Sequence, residues 1–441
     1  MMISRADRTI PMINAFEESF RALARTTPAW VNDLRQEGWV QFDRLGIPTV
    51  KNEEWKYTDI SAIVKHQYDI LTQDRPYLQL GALRPYVKDD ELRLVFVNGQ
   101  FVEEISHFKQ IPAGVHITTI LKALDDPKEE LKKLFLKYNS QEESAFAALN
   151  KVLMADGAFI RIDKNIVSEP IIHILHIPAP LGTAAIYSPR TLIVMEQSSE
   201  ATVLESQLGV SSDKPIYLVN AVTDVFIDPN ATLHYCKAQD DSRKAFHIGL
   251  TRVWQERDSN FQGFSLMTGA AIARNNLAVT LNGEGAHALL NGLYAVGVSQ
   301  LVDNHTAVEH RMPTCTSNQL YKGILNDAAH AIFNGNMFVR PIAQGTNSYQ
   351  LNKNILLGKK SRVDTKPQLE IFADDVKCTH GATIGQLNED EIFYLQSRAI
   401  PKRTAVKMLS HGFVDDVLNT VHSPSIREKL NLLLEPMFAA I

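Results

Sequence analysis

The stretch VKCTHGATIG, residues 376–385, brings a thiol and an imidazole close together near the end of a β-rich region. In an extended strand successive side chains alternate between faces, so Cys378 and His380 would share one face, with Cβ atoms about 6–7 Å apart. At that spacing the two groups can share a metal, a persulfide or a proton. A simpler interpretation is a buried cysteine beside a hydrogen-bonded core histidine, because free cysteine is among the most buried residue types.

The cysteine content limits the metal chemistry of the chain. Cys236, Cys315 and Cys378 are too few and too far apart for a disulfide framework, and they suit a reducing cytoplasm. An iron–sulfur cluster usually takes four thiolates, with histidine replacing some of them in certain centres. We therefore expect the chain to hold no cluster stably by itself, and any nascent cluster to be shared with a partner.

Composition and charge exclude several classes of partner. The 441 residues are 45% hydrophobic and 22% charged, with a net charge of −5, and the mean hydropathy is −0.13. This charge gives no reason to expect binding to nucleic acid or to an anionic membrane. No apolar run approaches the roughly 18–20 residues of a membrane span, and residues 1–19 lack the apolar core of a secretory signal. We expect a cytoplasmic protein.

The elements that must position Cys378 and His380 fall into three regions. Residues 158–386 alternate short β-branched and aromatic runs with Asn, Gly, Asp and Ser, which predicts a mainly β domain. Residues 1–157 are predicted to be mainly helical, with helices over 12–28 and 29–45, more helix at about 127–155, and a hairpin with a type I′ turn at Asn98-Gly99. Residues 387–441 predict three helical segments, the later two beginning at Pro401 and at the Ser423-Pro424 pair.

An internal repeat favours a solenoid for the β domain. Residues 286–296 and 329–339 are identical at six of eleven positions and lie 43 residues apart. That offset suits one propeller blade or two solenoid turns of about 20 residues, and a propeller would repeat its signature more often. On the solenoid interpretation, the repeated Asn-Gly pairs mark corners. His287 and His330 are then predicted to stack as neighbours in a structural ladder.

Three motifs, in this order, carry a family resemblance: KNEEWKYT at residues 51–58, CTHGAT at 378–383, and the segment 394–400. Together they resemble the SufB/SufD family of iron–sulfur cluster assembly scaffolds, and the small number of cysteines favours its SufD side. The resemblance implies a right-handed parallel β-helix, flanked by helical regions, that pairs with a SufB-like paralogue. It also implies docking of a SufC-like ABC ATPase by the C-terminal helices. Without the paralogue, a homodimer across a two-fold axis is expected.

The resemblance also assigns roles to individual residues. His380 would lie at the interface with the paralogue and support cluster assembly, as a metal ligand shared with the partner, with Cys378 beside it. The ATPase-docking helices map to residues 389–421, including Met408, Leu409, Gly412 and Phe413. The helix there carries an apolar stripe, which is explained either by a docked partner or by the core of a small helical cap. No catalytic residue is implied.

Two other classes of function remain open from the sequence. Parallel β-helices include polysaccharide lyases and hydrolases, and Asp374-Asp375 would be the carboxylates nearest to Cys378. Adjacent residues of a strand face opposite sides, however, and the sequence carries no export signal. The remaining alternative is a purely structural subunit in which His380 only packs in the interface.

Overall fold

The computed structural model describes residues 29–70, 83–88, 90–108, 110–124, 131–134, 144–179, 184–209 and 216–441. The helix predicted over residues 12–28 lies outside these ranges, as do residues 127–130 and 135–143 of the helical stretch predicted at about 127–155. The described helices are α1 (Ala29–Leu45), α2 (Ser61–Val64), α3 (Ile120–Ala123), α4 (Ala145–Leu153), α5 (Glu389–Ser397), α6 (Lys402–Leu418) and α7 (Pro424–Ala440).

The described strands, in chain order, are β1 (Asp69–Ile70), β2 (Leu92–Val97), β3 (Gln100–Phe101), β4 (Val115–Thr119), β5 (Gly157–Ile162), β6 (Ile172–Ile177), β7 (Ala185–Tyr187), β8 (Arg190–Met195), β9 (Glu200–Leu208), β10 (Tyr217–Ile227), β11 (Thr232–Asp240), β12 (Phe246–Gln255), β13 (Asn260–Met267), β14 (Ile272–Leu281), β15 (His287–Val296), β16 (Leu301–His310), β17 (Thr316–Leu325), β18 (His330–Val339), β19 (Thr346–Leu356), β20 (Arg362–Ile371) and β21 (Val376–Gly385). From β8 onwards they alternate between two sheets. The first sheet runs β20-β18-β16-β14-β12-β10-β8-β5-β4 and the second β21-β19-β17-β15-β13-β11-β9-β6-β2-β3. Each strand from β8 on pairs in parallel with strands of the neighbouring turns, so the predicted parallel β-solenoid is confirmed.

The interior of the solenoid is built from columns of side chains in register. Along the first sheet an aliphatic column runs through five successive strands: Ile193, Val225, Val253, Val279 and Val308. All five are buried in one core cluster with side chains of the second sheet. Stacking therefore buries a continuous core that no single turn could form alone.

The turn length differs from the prediction made from the repeat. Leu301 pairs with His330 in the next turn of the same sheet, so one turn takes 29 residues rather than about 20. The repeated segments are β15 and β18, which belong to different sheets. Their offset of 43 residues is therefore one and a half turns. The predicted stacking of His287 on His330 is wrong, because His287 pairs with Asn260 and Thr316 instead.

The repeated Asn-Gly pairs do not mark corners either. Gly292 and Gly335 lie within β15 and β18, where they leave space for large side chains. A Cβ atom on Gly292 would lie 2.2 Å from Tyr321 Cε1, and one on Gly335 would lie 1.9 Å from Gln350 Nε2. The glycines are thus needed for interior packing.

The corners themselves use residues in the left-handed backbone region. Turn after turn, one corner holds such residues: Asn165, Ser198, Asn230, Asp258, Gly285, Thr314 and Gly345. A second corner uses Ala270, Val298 and Asp327. Asn, Asp and Gly adopt this conformation readily, which explains the polar residues that separate the apolar runs.

Both outer faces of the solenoid are covered by helices. α6 and α7 pack on the second sheet, and α1 and α4 pack on the first. α1 has the bounds predicted from the sequence, and α6 and α7 begin at the predicted signals, directly after Pro401 and at Pro424. The predicted hairpin at Asn98-Gly99 is also confirmed, since both residues have positive φ and join antiparallel strands β2 and β3. Among the described residues, no helix is both long and apolar enough to span a membrane.

The KNEEWKYT motif fastens the N-terminal region to the first sheet. The Arg274 guanidinium lies over the Trp55 ring, 4.0 Å from its centroid. Thr58 Oγ1 donates to Asp303 Oδ2 at 2.6 Å, and Arg274 Nη1 also donates to Asp303 Oδ2 at 2.8 Å. Trp55 and Thr58 of the motif therefore anchor this loop onto the first sheet.

Ion pairs of two buried lysines, Lys429 and Lys322, fasten the C-terminal helices to the solenoid. The Lys429 ammonium on α7 donates to the carboxylate of Glu91, whose other oxygen lies 3.1 Å from His173 Nδ1. On α6, the backbone carbonyl of Phe413 accepts from Lys322 Nζ at 2.9 Å, and Asp416 pairs with the same ammonium. The helices are thus held at defined points as well as by apolar packing.

Candidate functional site

The two ends of the solenoid differ. At the N-terminal end the sheets finish in the short strands β3 and β4, which run antiparallel to their neighbours β2 and β5. At the C-terminal end they finish in β20 and β21, ten residues each, which pair on one side only. Short edge strands limit edge-to-edge pairing, whereas long regular ones favour it. The C-terminal end is therefore an open edge of both sheets.

Cys378 and His380 lie on β21, the last strand of this open end. They pair in register with Ser348 and Gln350 of β19, both of which are buried. Cys378 and His380 therefore continue columns that face the inside of the solenoid. Because no further turn of the described part of the chain covers them, Cys378 is half-buried and His380 is exposed. The structure thus puts both residues on one face of one strand.

The surroundings of Cys378 favour its neutral form. The side chain packs at the edge of a small apolar cluster of Met337, Val339, Ala343 and Ala373. Burial raises the pKa of the Cys378 thiol above its usual value. Only the thiolate is a nucleophile and metal ligand, so a bound metal or a partner's positive charge is needed to activate this thiol.

The other two cysteines lie away from the open end. Cys236 is buried under the C-terminal helices, and Cys315 is buried at a corner, where its Sγ donates to the carbonyl of Gly283 at 3.2 Å. Burial raises the pKa of both thiols. Among the described residues, no group of three or more His, Cys, Asp or Glu side chains is arranged to hold a metal ion.

Asp374 and Asp375, the carboxylates of the enzyme alternative, lie in the bend between β20 and β21. Both are exposed. Acid–base pairs in enzymes depend on burial or close charges to separate their pKa values. This bend provides no buried pocket for such a pair.

The residues mapped to ATPase docking lie on α6, immediately after the open end. The Met408 side chain is 48% exposed, and the space beside Gly412 is open. Phe413 faces the solenoid instead, with Lys322 Nζ 4.4 Å from its ring centroid, and Leu409 is half-buried. Only part of the predicted set therefore faces solvent.

The neighbouring helix α5 adds two aromatic residues that were not predicted as contacts. Phe393 is 71% exposed and Tyr394 is 56% exposed, whereas Ile392 is buried. In the sequence, an isoleucine followed by two aromatic residues was the available signal for this contact surface. Using that signal required knowing which face of α5 packs against the rest of the protein. We call the exposed residues Phe393 and Tyr394 of α5, together with Met408 and Gly412 of the contacting helix α6, the helical patch.

The fold and its open end define a class of protein. It is a parallel β-solenoid with one end finished by short antiparallel strands, one open end, and C-terminal helices beside the open end. Comparison with known proteins identifies the family. Residues 180–413 match the family model described as SUF system FeS cluster assembly, SufBD core domain. Residues 7–174 match the model of the SufBD protein N-terminal region. The chain belongs to the SufBD family of iron–sulfur cluster assembly proteins.

Individual relatives agree with this assignment over most of their length. An iron–sulfur cluster assembly SufBD family protein of Synechocystis is 32% identical over 88% of this chain and 86% of its own length. The iron–sulfur cluster assembly protein SufD of Escherichia coli is 28% identical over 90% of each chain. SufD of Bacillus subtilis is 26% identical over 92% of this chain and 94% of its own. The predicted resemblance to the SufD side of the family is thus confirmed.

Proposed function

We propose that this chain is a non-catalytic scaffold subunit of a cytoplasmic SufBCD-type complex. It pairs with a SufB-like paralogue through its open end, and we call the contact between the two solenoids the seam. It docks a SufC-like ABC ATPase on its helical patch. It supports assembly of an iron–sulfur cluster at the seam. The observation that carries the proposal is the open end, where β20 and β21 leave both sheets unpaired beside His380.

The open end suits pairing with another solenoid. Ten-residue edge strands expose rows of backbone donors and acceptors that a second chain can satisfy. Three large apolar side chains are exposed there: Ile371, Phe372 and Ile384. A paralogue with a matching end would bury both the strands and these side chains. In its absence a second copy of this chain would do so across a two-fold axis.

The helical patch suits a separate partner. Exposed aromatic residues next to methionine are typical of interface hot spots. The patch also lies close to the open end along the sequence, because only residues 386–388 separate β21 from α5. A partner that moves α5 on ATP hydrolysis would thereby displace β21 and open the seam to iron and sulfide.

At the seam, His380 and Cys378 would act with groups of the paralogue. The cluster is the cargo of the complex, and its remaining ligands come from the partner. A neutral imidazole binds iron through one ring nitrogen, which makes exposed His380 the stronger contributor. The protonated Cys378 thiol contributes less until it is activated.

The first experiment is anaerobic affinity purification of the tagged chain from its own cytosol, with mass spectrometry of the proteins retained. We expect a paralogous β-helix subunit and an ABC ATPase. The same complex with His380→Ala should form normally but load less iron and acid-labile sulfide, whereas Cys378→Ala should have a smaller effect. Recovery of the chain alone would contradict the scaffold proposal. Normal loading of the His380→Ala complex would indicate a purely structural subunit.

A further inference from the structure

A column of polar side chains inside the solenoid leads directly to His380. Gln319 on β17, Gln350 on β19 and His380 on β21 occupy the same register position in three successive turns. Neighbouring strands are about 4.7–4.9 Å apart, which brings consecutive side chains of such a column within hydrogen-bonding reach. Gln319 and Gln350 are both buried.

The two glutamines already form part of a chain of hydrogen bonds. Gln350 Nε2 donates to Gln319 Oε1 at 2.6 Å, and Thr306 Oγ1 donates to the same oxygen at 3.3 Å. Gln350 Oε1 is buried and accepts no hydrogen bond from any described residue. A buried acceptor without a donor costs about 1–3 kcal/mol, so a donor is expected on the open side of the column.

The fold leaves room for this arrangement. Gly335 on the facing sheet lies against the Gln350 amide, and a side chain there would collide with it, since the added Cβ would be 1.9 Å from Nε2. With its nitrogen engaged by Gln319, the oxygen of Gln350 remains for the next residue of the column. That residue is His380.

We infer that Gln350 is a positioning residue for His380. In the assembled complex Gln350 Oε1 accepts a hydrogen bond from one ring N–H of His380, which holds the imidazole in a single tautomer. The other ring nitrogen then keeps its lone pair and faces the seam. Histidine ligands are commonly fixed in this way by a partner on the second nitrogen. The inference rests on the proposed role of His380.

The test compares three variants in the complete complex. Gln350→Met keeps the length of the side chain but removes the acceptor, and Gln350→Glu keeps an acceptor oxygen. Asn352→Leu is the matched control, because Asn352 is an equally buried amide on the same strand but lies beneath Ala382. We expect Gln350→Met to slow iron and sulfide loading about tenfold, the lower end of effects seen for such supporting residues. Gln350→Glu should restore most of the rate, and Asn352→Leu should stay close to wild type.

A structural readout distinguishes positioning from simple packing. Solid-state NMR of complexes in which only this chain carries ¹⁵N-histidine reports the protonated nitrogen of each ring, with His380→Ala providing the assignment. His380 should be one tautomer in wild type and a mixture in Gln350→Met. In the wild-type complex itself, the distance from the Gln350 side-chain carbonyl carbon to a His380 ring nitrogen should be about 4 Å. That measurement needs no variant to fold.

The outcomes separate this inference from the proposed function. Normal loading by His380→Ala overturns the proposed function, while the carbon–nitrogen distance still decides whether Gln350 holds the ring. A loading defect in His380→Ala with an unchanged rate and tautomer in Gln350→Met overturns the inference alone. Equal loss in Gln350→Met and Asn352→Leu also overturns it, because both buried amides would then act only in packing.

Discussion

Cys378 and His380 lie on the same face of β21, but their surroundings differ because different side chains lie beneath them. Cys378 rests against the apolar cluster at Met337 and Val339, and burial raises the pKa of its thiol. His380 continues a polar column and is exposed. The His380 side chain is therefore open to a partner, whereas the Cys378 thiol needs activation before it can bind a metal.

Another histidine, His310, makes the stability of the interior depend on pH. It is fully buried with Nε2 2.9 Å from Ser317 Oγ, and desolvation lowers its pKa to about 4. An unfolded imidazole titrates near pH 6.5. The stability contributed by neutral His310 is therefore complete above about pH 6.5 and is lost as the pH falls towards about 4. His310→Gln should remove up to about 3 kcal/mol of this dependence.

The measurement is urea unfolding of wild type and His310→Gln above pH 7 and at about pH 5. The variant should lose less free energy of unfolding between the two conditions. Asn318→Ala, at an exposed and non-titrating residue of the neighbouring strand β17, serves as the control and should keep the pH dependence of wild type. An equal loss in all three proteins would show that His310 is not the group responsible.

Among the elements, the corners determine how each turn closes, and some of them carry backbone strain. Val298 has φ of 55°, while the equivalent corners of the flanking turns hold Ala270 and Asp327. A β-branched residue in the left-handed region is a genuine outlier, because its Cβ approaches the following carbonyl oxygen. Val298 is 64% exposed, so its side chain returns little packing in compensation.

Replacing Val298 with glycine should therefore stabilise the protein. Relief of about 1–2 kcal/mol of strain outweighs the larger backbone entropy of glycine in the unfolded chain, leaving about 1 kcal/mol. Val298→Asn should give a smaller gain, since asparagine tolerates this conformation. Val167→Gly is the matched control, because Val167 is equally exposed but has ordinary φ, and it should be neutral or destabilising. Thermal unfolding measures all three; a loss in Val298→Gly would refute the strain argument.

At the scale of the whole molecule, the two ends of the solenoid differ in the length and direction of their edge strands. The chain protects its N-terminal end with its own short antiparallel strands and leaves ten-residue strands open at the other. A long, regular, partly apolar edge is an aggregation hazard for an isolated protein unless another chain covers it. Under the proposed function, the open end is one half of an interface with the paralogue.

Charges placed at this end should prevent pairing without unfolding the chain. The double variant Phe372→Lys, Ile384→Lys changes two exposed side chains of the last turn. We expect it to keep the wild-type melting temperature but to lose association with the paralogue, and with itself, by light scattering. Val167→Lys, at an exposed valine in the first turns, should associate normally. Retained pairing in the double variant would place the interface elsewhere.

The sequence by itself determined what depends on short-range patterns. Apolar spacing, caps and turn residues predicted α1, the C-terminal helices, the Asn98-Gly99 hairpin and a solenoid, and the CTHGAT motif singled out Cys378 and His380. The tertiary structure decided what depends on register. A turn of 29 residues, the interior role of Gly335, and the alignment of Gln350 beneath His380 all arise from pairing between strands distant in the chain. Local propensity does not encode that pairing, because a strand keeps the same alternation in any register that buries its apolar face.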